Sequence, residues 1–223
     1  MVPSCIGIIM DGNRRWAKAK NLPTFEGHRR GYEKLKEVLR WAKESGVRHL
    51  IVYALSTENW NRTQEEVSYL LGLIRLVLTE DLEVVKKEGG KIVCVGERER
   101  FPSDIQEMMR RAETETATLE GVTLVLALSY GGHAEIVQAV NKAVQAGESV
   151  DEKGFAAMLW TKDVPDPDLI IRTGGELRLS GFLPWQSVYS ELFFTKTFWP
   201  DFSEVEFKSI LEEFSKRERR NGK

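Results

Sequence analysis

Short apolar runs alternate with longer amphipathic ones along the whole chain. Residues 6–10, 50–55, 91–95, 122–128, 169–171 and 192–194 are brief, rich in Val, Ile, Leu and Phe, and bounded by Gly, Asp or Asn. That is the pattern of strands buried on both faces. Between them the period lengthens. Leu35, Val38, Leu39 and Ala42 recur at helical spacing. Thr63-Gln64-Glu65-Glu66 is a capping box and predicts a long helix to about residue 88. Ser103-Asp104-Ile105-Gln106 and Ser203-Glu204-Val205-Glu206 predict two further helix starts of the same kind. Strand–helix alternation implies a central, mostly parallel sheet of about six strands covered by helices. No linker, low-complexity tract or repeat interrupts it, so residues 1–223 read as a single α/β domain.

The long helix carries two apolar faces. Val67, Leu70, Leu71, Ile74, Leu78 and Val85 share one, as a core stripe should, while Tyr69, Leu73 and Leu76 fall roughly opposite. A subunit interface or the wall of an apolar cavity would each bury that second face.

Composition narrows the class. Hydrophobic residues make up 42% and charged residues 30%, enough for a packed core under a solvated surface. A formal net charge of −2 argues against a bulk nucleic-acid binder. Cys5 and Cys94 lie far apart with no C-x-x-C pairing, which points to a reducing compartment rather than a disulfide scaffold or cysteine zinc site. No apolar run approaches the ~18 residues of a transmembrane helix. The first residues meet Asp11 too early for a signal peptide. A soluble cytoplasmic protein is expected.

In an open α/β sheet, ligands bind beyond the carboxyl ends of the strands. This sequence places Asp11-Gly12-Asn13-Arg14-Arg15-Trp16 after the first strand and Ser56-Thr57-Glu58-Asn59-Trp60-Asn61-Arg62 after the second. Ser129-Tyr130-Gly131-Gly132-His133 follows the fourth, and Arg172-Thr173-Gly174-Gly175-Glu176-Leu177-Arg178-Leu179-Ser180 the fifth. Arginine forks, glycine-backed amides and helix N-termini are the parts of a phosphate site. A carboxylate among them suggests a divalent cation sharing phosphate oxygens. Each cluster alone is a routine turn or a solvated charge; together, at one edge, they point to a site. Neither a P-loop nor a G-x-G-x-x-G run occurs, and His28, His49 and His133 are scattered. His49 opens a strand; His28, in Gly27-His28-Arg29-Arg30-Gly31, reads as the start of a helix and a fair anion site.

The runs MDGNRRWA, EGHRRG, YALSTENWNR, SYGG, IIRTGGELRLSGFLPWQ and YSELFFTKTFWPDF resemble the cis-prenyltransferase (undecaprenyl diphosphate synthase) family, in order from about Gly7 to Arg220. The resemblance implies that family's fold with an apolar tunnel. It also implies an enzyme that joins isopentenyl diphosphate to an allylic diphosphate such as farnesyl diphosphate, creates a Z double bond and releases diphosphate. Mg2+ would be the cofactor and a homodimer the working form, with peripheral membrane association for product release. By position, Asp11 would be the catalytic carboxylate handling Mg2+, with Glu191 assisting the metal, and Asn59 a second catalytic residue. Gly12, Asn13, Arg14, Arg15, Trp16, His28 and Arg62 would serve the allylic diphosphate; Arg172, Arg178 and Ser180 would hold that of isopentenyl diphosphate. Ser56, Thr57, Glu58, Asn59, Trp60 and Glu66 would lie in a substrate-closing segment, and the Tyr69–Leu73–Leu76 face would line or support the tunnel.

Some positions depart from the pattern. Arg14 stands where many bacterial members have glycine, Thr24 where many place a phosphate-binding arginine, Ser129 for a frequent asparagine, and Leu177 for a frequent histidine. The ending Arg219-Arg220-Asn221-Gly222-Lys223 resembles the R-x-G sequence used across the family's dimer interface. The alternative reading is a non-catalytic partner subunit of a heteromeric enzyme, but such subunits lose the motifs that Asp11, Arg15, Arg62, Arg172 and Arg178 retain here. Trans-prenyltransferases need Asp-rich helical motifs, and Asp163, Asp166 and Asp168 are broken up by Pro165 and Pro167.

Overall fold

The computed structural model describes residues 2–147 and 149–217. The ending at 219–223 lies outside them. Among the described residues, six strands form one sheet. They are β1 (Cys5–Ile9), β2 (His49–Ser56), β3 (Lys91–Val95), β4 (Thr123–Tyr130), β5 (Leu169–Arg172) and β6 (Glu191–Phe194), in the order β3-β4-β2-β1-β5-β6. Every neighbouring pair is parallel. The strands differ from their sequence-predicted limits by a residue or two, as ends defined by hydrogen bonding do.

Alternation along each strand divides the core. Ile6, Ile8, Leu50, Val52, Leu124 and Leu126 face one layer. Over them pack α2 (Thr24–Glu44), α3 (Gln64–Leu78), α4 (Glu80–Lys87), α5 (Ser103–Thr116) and α8 (Glu204–Lys216). Cys5, Ile51, Val125, Ala127 and Ile170 face the other, beneath Phe182 and Leu183. On that side α6 (Gly132–Ala146) is pinned by fully buried Glu135. Its carboxylate accepts from the Tyr130 hydroxyl, from Thr161 N at 3.0 Å and Oγ1 at 2.8 Å, and from Gln186 Nε2 at 3.0 Å. A buried carboxylate is tolerable only when supplied with donors in this way. The remaining helices are α1 (Asn13–Ala19) and α7 (Glu152–Ala156).

The helix expected to run to about residue 88 ends at Leu78. Thr79, at φ −125° and ψ −75°, interrupts it, and α4 resumes at Glu80. The Thr79 hydroxyl donates to the Arg75 carbonyl at 2.7 Å, the local side-chain bond by which threonine competes with a helical ladder. Ser103 is inside α5 rather than capping it, because Pro102 already supplies the extended entry. His28 likewise sits within α2, which begins at Thr24. Thr63 and Ser203 do cap, accepting from Glu66 N at 3.3 Å and Glu206 N at 3.2 Å.

The chain leaves β1 towards β2 and, after β4, crosses to β5 on the other side of β1. The β1 end is therefore the topological switch point, where such sheets bind ligands. Among the described residues no helix is long and apolar enough to cross a membrane.

Candidate active site

β1 delivers Asp11 to the switch point, and β5 delivers Arg172 beside it. Gly12 makes the turn between β1 and α1 at φ 108°, and a Cβ there would lie 2.7 Å from the Phe198 ring, so only glycine fits. Gly174 turns at φ 88°, where a Cβ would meet Arg15 Nη2 at 2.8 Å.

These turns assemble a ladder of alternating charge. Arg172 Nη2 donates to Asp11 Oδ2 at 2.8 Å, and Arg15 Nη2 lies 3.1 Å from Asp11 Oδ1. Arg15 Nη1 reaches Glu176 Oε1 at 3.3 Å, and Arg178 Nη1 donates to Glu176 Oε2 at 2.6 Å. Arg172 is only 5% exposed; its Nη1 also donates to Ser180 Oγ at 2.9 Å and to the Arg178 carbonyl, while its Nε has no partner. Burial alone would push the Asp11 carboxyl up, but the Arg172 hydrogen bond and the charges of Arg15 and Arg172 outweigh it and hold the pKa low. Asp11 is ionised at neutral pH.

A second cluster centres on Glu66 in the first turn of α3. Its Oε1 accepts from Arg62 Nη1 at 2.7 Å, lies 3.0 Å from His28 Nε2 and faces Arg14 Nε at 3.8 Å. Burial works against its ionisation, yet the His28 hydrogen bond and the Arg62 and Arg14 charges bring its pKa down. Burial lowers the pKa of His28 and outweighs the hydrogen bond and charge of Glu66, with the Arg62 and Arg14 charges acting in the same direction as burial, so the imidazole is neutral at pH 7.

Between the clusters lies a polar crevice of about 770 Å³, bordered by Asp11, Asn13, Arg14, Arg15, His28 and Arg62. It shares Met10, Asn13, His28 and Arg62 with an adjoining apolar cavity of about 140 Å³, whose walls include Ala54, Leu70, Leu73, Ile74, Leu128 and Trp199. Leu73 of the second helix face thus meets a cavity. Tyr69 packs on Phe25, ring centroids 5.7 Å apart, and Leu76 lies outside the lining.

Several expected site residues have other partners. Trp16 is buried and donates to Asp201 Oδ1 at 2.7 Å, tying α1 down beside the crevice rather than entering it. Trp60 donates to Ser129 Oγ at 2.9 Å and packs edge-on to Phe101. Residues 57–61 form a 3₁₀ turn closed by a reciprocal cap in which Asn59 Oδ1 accepts from Ser56 N at 3.0 Å. Asn59 and Arg62 reach the cavity lining from this turn, whereas Ser56, Thr57, exposed Glu58 and Trp60 border neither space. Glu191 is paired with Leu169 at the start of the β5–β6 ladder, opposite the end that carries Arg172. Three strand residues separate those ends by ~10 Å, and its carboxylate accepts from Arg217 Nη1 at 2.5 Å. One chain therefore does not bring Glu191 to Asp11. Glu176 was visible in the sequence only as part of a polar run; its bridging of Arg15 and Arg178 depends on the fold of the 174–180 loop.

A hard cation fits this donor set. Asp11 is ionised, partly open to the crevice, and retains lone pairs beyond those given to the arginines. Among the described residues there is no group of three or more His, Cys, Asp or Glu that could hold a metal. One carboxylate with substrate phosphates completing the shell is the arrangement Mg2+ favours.

Residues 9–222 match the family model Prenyltransf, that of undecaprenyl diphosphate synthase. The chain is 43% identical to isoprenyl transferase of Thermotoga maritima, covering 99% of this chain and 97% of that protein. It is 44% identical to isoprenyl transferase of Neisseria gonorrhoeae, covering 100% and 90%. Lavandulyl diphosphate synthase from Lavandula x intermedia, solved with dimethylallyl diphosphate, superimposes with a TM-score of 0.94 at 33% identity, covering 100% and 99%. The chain is a prenyl-group transferase and belongs to the undecaprenyl diphosphate synthase family.

Proposed function

We propose that the protein condenses isopentenyl diphosphate with an allylic diphosphate, forming a Z double bond and releasing diphosphate. Mg2+ is its cofactor, and it works in the cytoplasm as a homodimer of the single domain 1–223. The observation that carries the reading is the charge ladder Arg172–Asp11–Arg15–Glu176–Arg178, beside a crevice that continues into an apolar cavity. Exposed Val137, Val140 and Val144 on α6, with Val188, Tyr189 and Leu192 near edge strand β6, support a subunit contact. Any metal role for Glu191 would be exercised across that contact.

The chemistry follows from which groups face which substrate end. Arg14, Arg15, Arg62 and the Asn13 amide hold the allylic diphosphate, and the hydrocarbon enters the cavity past Met10. Arg172, Arg178 and Ser180 hold the isopentenyl diphosphate on the other side of Asp11. Asp11 would hold Mg2+, which would supply neutralisation of the leaving group when bound. As the allylic C–O bond breaks, charge grows on oxygens already surrounded by guanidinium donors that need no reorganisation. The two fixed diphosphates align the isopentenyl double bond with the allylic carbon, which is catalysis by orientation. The isopentenyl double bond forms the new C–C bond to the allylic carbon, and the proton the isopentenyl unit then loses passes to the released diphosphate. The close superposition on an enzyme solved with dimethylallyl diphosphate supports a short allylic primer.

The test is diphosphate release by the purified chain from isopentenyl diphosphate with dimethylallyl, geranyl or farnesyl diphosphate. Release requiring both substrates and Mg2+, with a Z product by NMR, supports the proposal; no release with any primer overturns it.

A further inference from the structure

Past the ends of β5 and β6 the two chain segments stay hydrogen-bonded although neither is a strand any longer. Thr195 N donates to the Arg172 carbonyl at 2.9 Å, Gly175 N to the Thr195 carbonyl at 2.8 Å, and Gly174 N to the Thr197 carbonyl at 2.8 Å. Residues 195–197 are thus the template on which the 172–175 turn is laid. The turn holds Gly174 at φ 88° and Gly175 at φ 81°, a left-handed pair that glycine adopts without strain. Its shape decides where the following chain goes. Glu176 has to arrive between Arg15 and Arg178, and the Arg178 carbonyl and Ser180 Oγ have to arrive at Arg172 Nη1.

The template is itself held from α8. The Thr195 hydroxyl and, at 3.2 Å, the Thr197 hydroxyl both donate to Glu206 Oε1, and Thr195 Oγ1 in turn accepts from Thr197 N at 3.2 Å. Hydrogen bonds to a carboxylate are the stronger kind. Glu206 stands where a capping box would turn its side chain back on Ser203, yet Ser203 caps alone, accepting from Glu206 N at 3.2 Å. The support is firm, because Phe207, Ile210 and Phe214 bury α8 in the core. Beyond the template the chain has anchors of its own. Trp199 is fully buried; its N donates to the Asp11 carbonyl at 3.0 Å and its Nε1 to the Gly31 carbonyl at 2.8 Å. Loss of the Glu206 contacts would therefore loosen residues 195–197 and the turn laid on them, and leave the Asp11 side in place.

We infer that Glu206 is a positioning residue: acting through Thr195 and Thr197, it fixes the 174–175 turn and so aligns Arg172 and Arg178 on the isopentenyl diphosphate. Glu206 borders neither the crevice nor the apolar cavity, so it acts only through the turn. The inference rests on the elongation reading above. Arg14, Arg62 and Asn13, which hold the allylic diphosphate, stand on α1 and at the end of the 57–61 turn, and the template carries none of them. The loss should therefore fall on one substrate.

Steady-state kinetics with each substrate varied in turn test it. Glu206→Ala should raise the KM for isopentenyl diphosphate about tenfold and leave the allylic KM within about twofold, against the roughly hundredfold that a misplacement of about 1 Å can cost. Glu206→Gln keeps an oxygen for both hydroxyls and should recover most of the loss. Ser203→Ala removes the cap of the same helix while leaving Glu206, so it should lower the melting temperature yet change neither KM. A Glu206→Ala variant that melts lower with neither KM raised, or with both raised equally, shows a tie between α8 and β6 and overturns the inference. A rise in Ser203→Ala equal to that in Glu206→Ala overturns it as well. Should Glu206→Ala not fold, Thr195→Val with Thr197→Val removes the same contacts, leaves α8 whole and is read in the same way. Calorimetric titration with isopentenyl diphosphate needs no turnover and separates this from failure of the elongation reading. Weaker binding in Glu206→Ala by a chain that does not elongate supports the positioning role and refutes the elongation reading alone. Equal affinity in wild type and variant overturns the positioning role, and absence of binding in the wild type removes both.

Discussion

Replacing Asp11 with asparagine keeps the shape of the side chain and removes its charge, which makes it the sharpest probe of the site. The carboxylate receives Arg172 Nη2 at 2.8 Å and Arg15 Nη2 at 3.1 Å. An asparagine has one carbonyl oxygen to offer and must present its NH2 group to the other guanidinium. Exchanging charge-assisted hydrogen bonds for one neutral acceptor costs about 1–2 kcal/mol. Arg172, still bonded to Ser180 and the Arg178 carbonyl, is not stranded. At about 2–4 °C per kcal/mol for a chain of this size, Asp11→Asn should melt roughly 2–8 °C below wild type and remain folded at assay temperature. A purely structural reading of Asp11 stops there. The catalytic reading adds a turnover loss of about a hundredfold or more, about 3 kcal/mol of transition-state stabilisation, because an amide does not hold a hard cation. Allylic diphosphate should still bind, since Arg15 gains freedom and Arg62 is untouched. Steady-state turnover at saturating Mg2+, a binding titration and a melt on the same protein separate the cases. Turnover within a few-fold of wild type would remove Asp11 from the catalytic set and the metal assignment with it.

Arg178→Ala removes one exposed fork while keeping the carbonyl that Arg172 uses, and should raise the KM for isopentenyl diphosphate about tenfold to a hundredfold at the strength of charged hydrogen bonds. An equal rise in the allylic KM would argue against separate diphosphate sites. Leu73→Trp fills much of the first cavity and should shorten the product, whereas Leu76→Trp, outside that lining, should leave its length unchanged; the reverse result would move the cavity wall. Stability should fall with acid in two stages. His28 and His49 have pKa values lowered chiefly by burial, so stability present above the ordinary imidazole value of 6.5 is lost as pH falls below it. Asp11 and Glu66, held below their ordinary 3.8 and 4.5, add a second loss through and below that range. Urea denaturation from pH 8 to 2 reads both, and His28→Gln should shrink the first stage.

The sequence disclosed the sheet because strands buried on both faces need unbroken apolar runs, and each run ends within two residues of a strand. It disclosed Asp11, Arg15, Arg172 and Arg178 because ligands in such sheets gather at strand ends. The break at Thr79 was not legible, because threonine is compatible with a helix interior and only the hydroxyl's bond to Arg75 shows the competition. The partners of Trp16 and Trp60 were not legible for a related reason: a tryptophan beside a polar motif can serve the ligand or the scaffold, and only the fold shows where its N–H goes. For both, that partner belongs to the scaffold, Asp201 and Ser129. Asp11 follows its apolar run, whereas Glu191 begins its strand, and the β5–β6 register sets it at the end opposite Arg172, which only the fold shows.

The carboxylates that organise the site explain how so many cations stay close together before substrate arrives. Arg15, Arg172 and Arg178 are spaced by Asp11 and Glu176, and Arg14, Arg62 and His28 gather about Glu66. Without those anions, like charges would repel and the long side chains would sample many rotamers, an entropy lost again on binding. With them, the guanidiniums are fixed near the crevice while keeping donors unspent. A diphosphate brings more negative charge than a single carboxylate and more acceptor oxygens, so it can draw on the same arginines without dismantling the ladder. Glu66 has a second use of the same carboxylate. It forgoes the return bond of its capping box, leaving Thr63 to cap α3 alone, and spends its oxygen on His28 and Arg62 instead. The same half-cap occurs at α8, where Glu206 Oε1 accepts from the Thr195 and Thr197 hydroxyls instead; at α3 the freed carboxylate gathers the cations of the site.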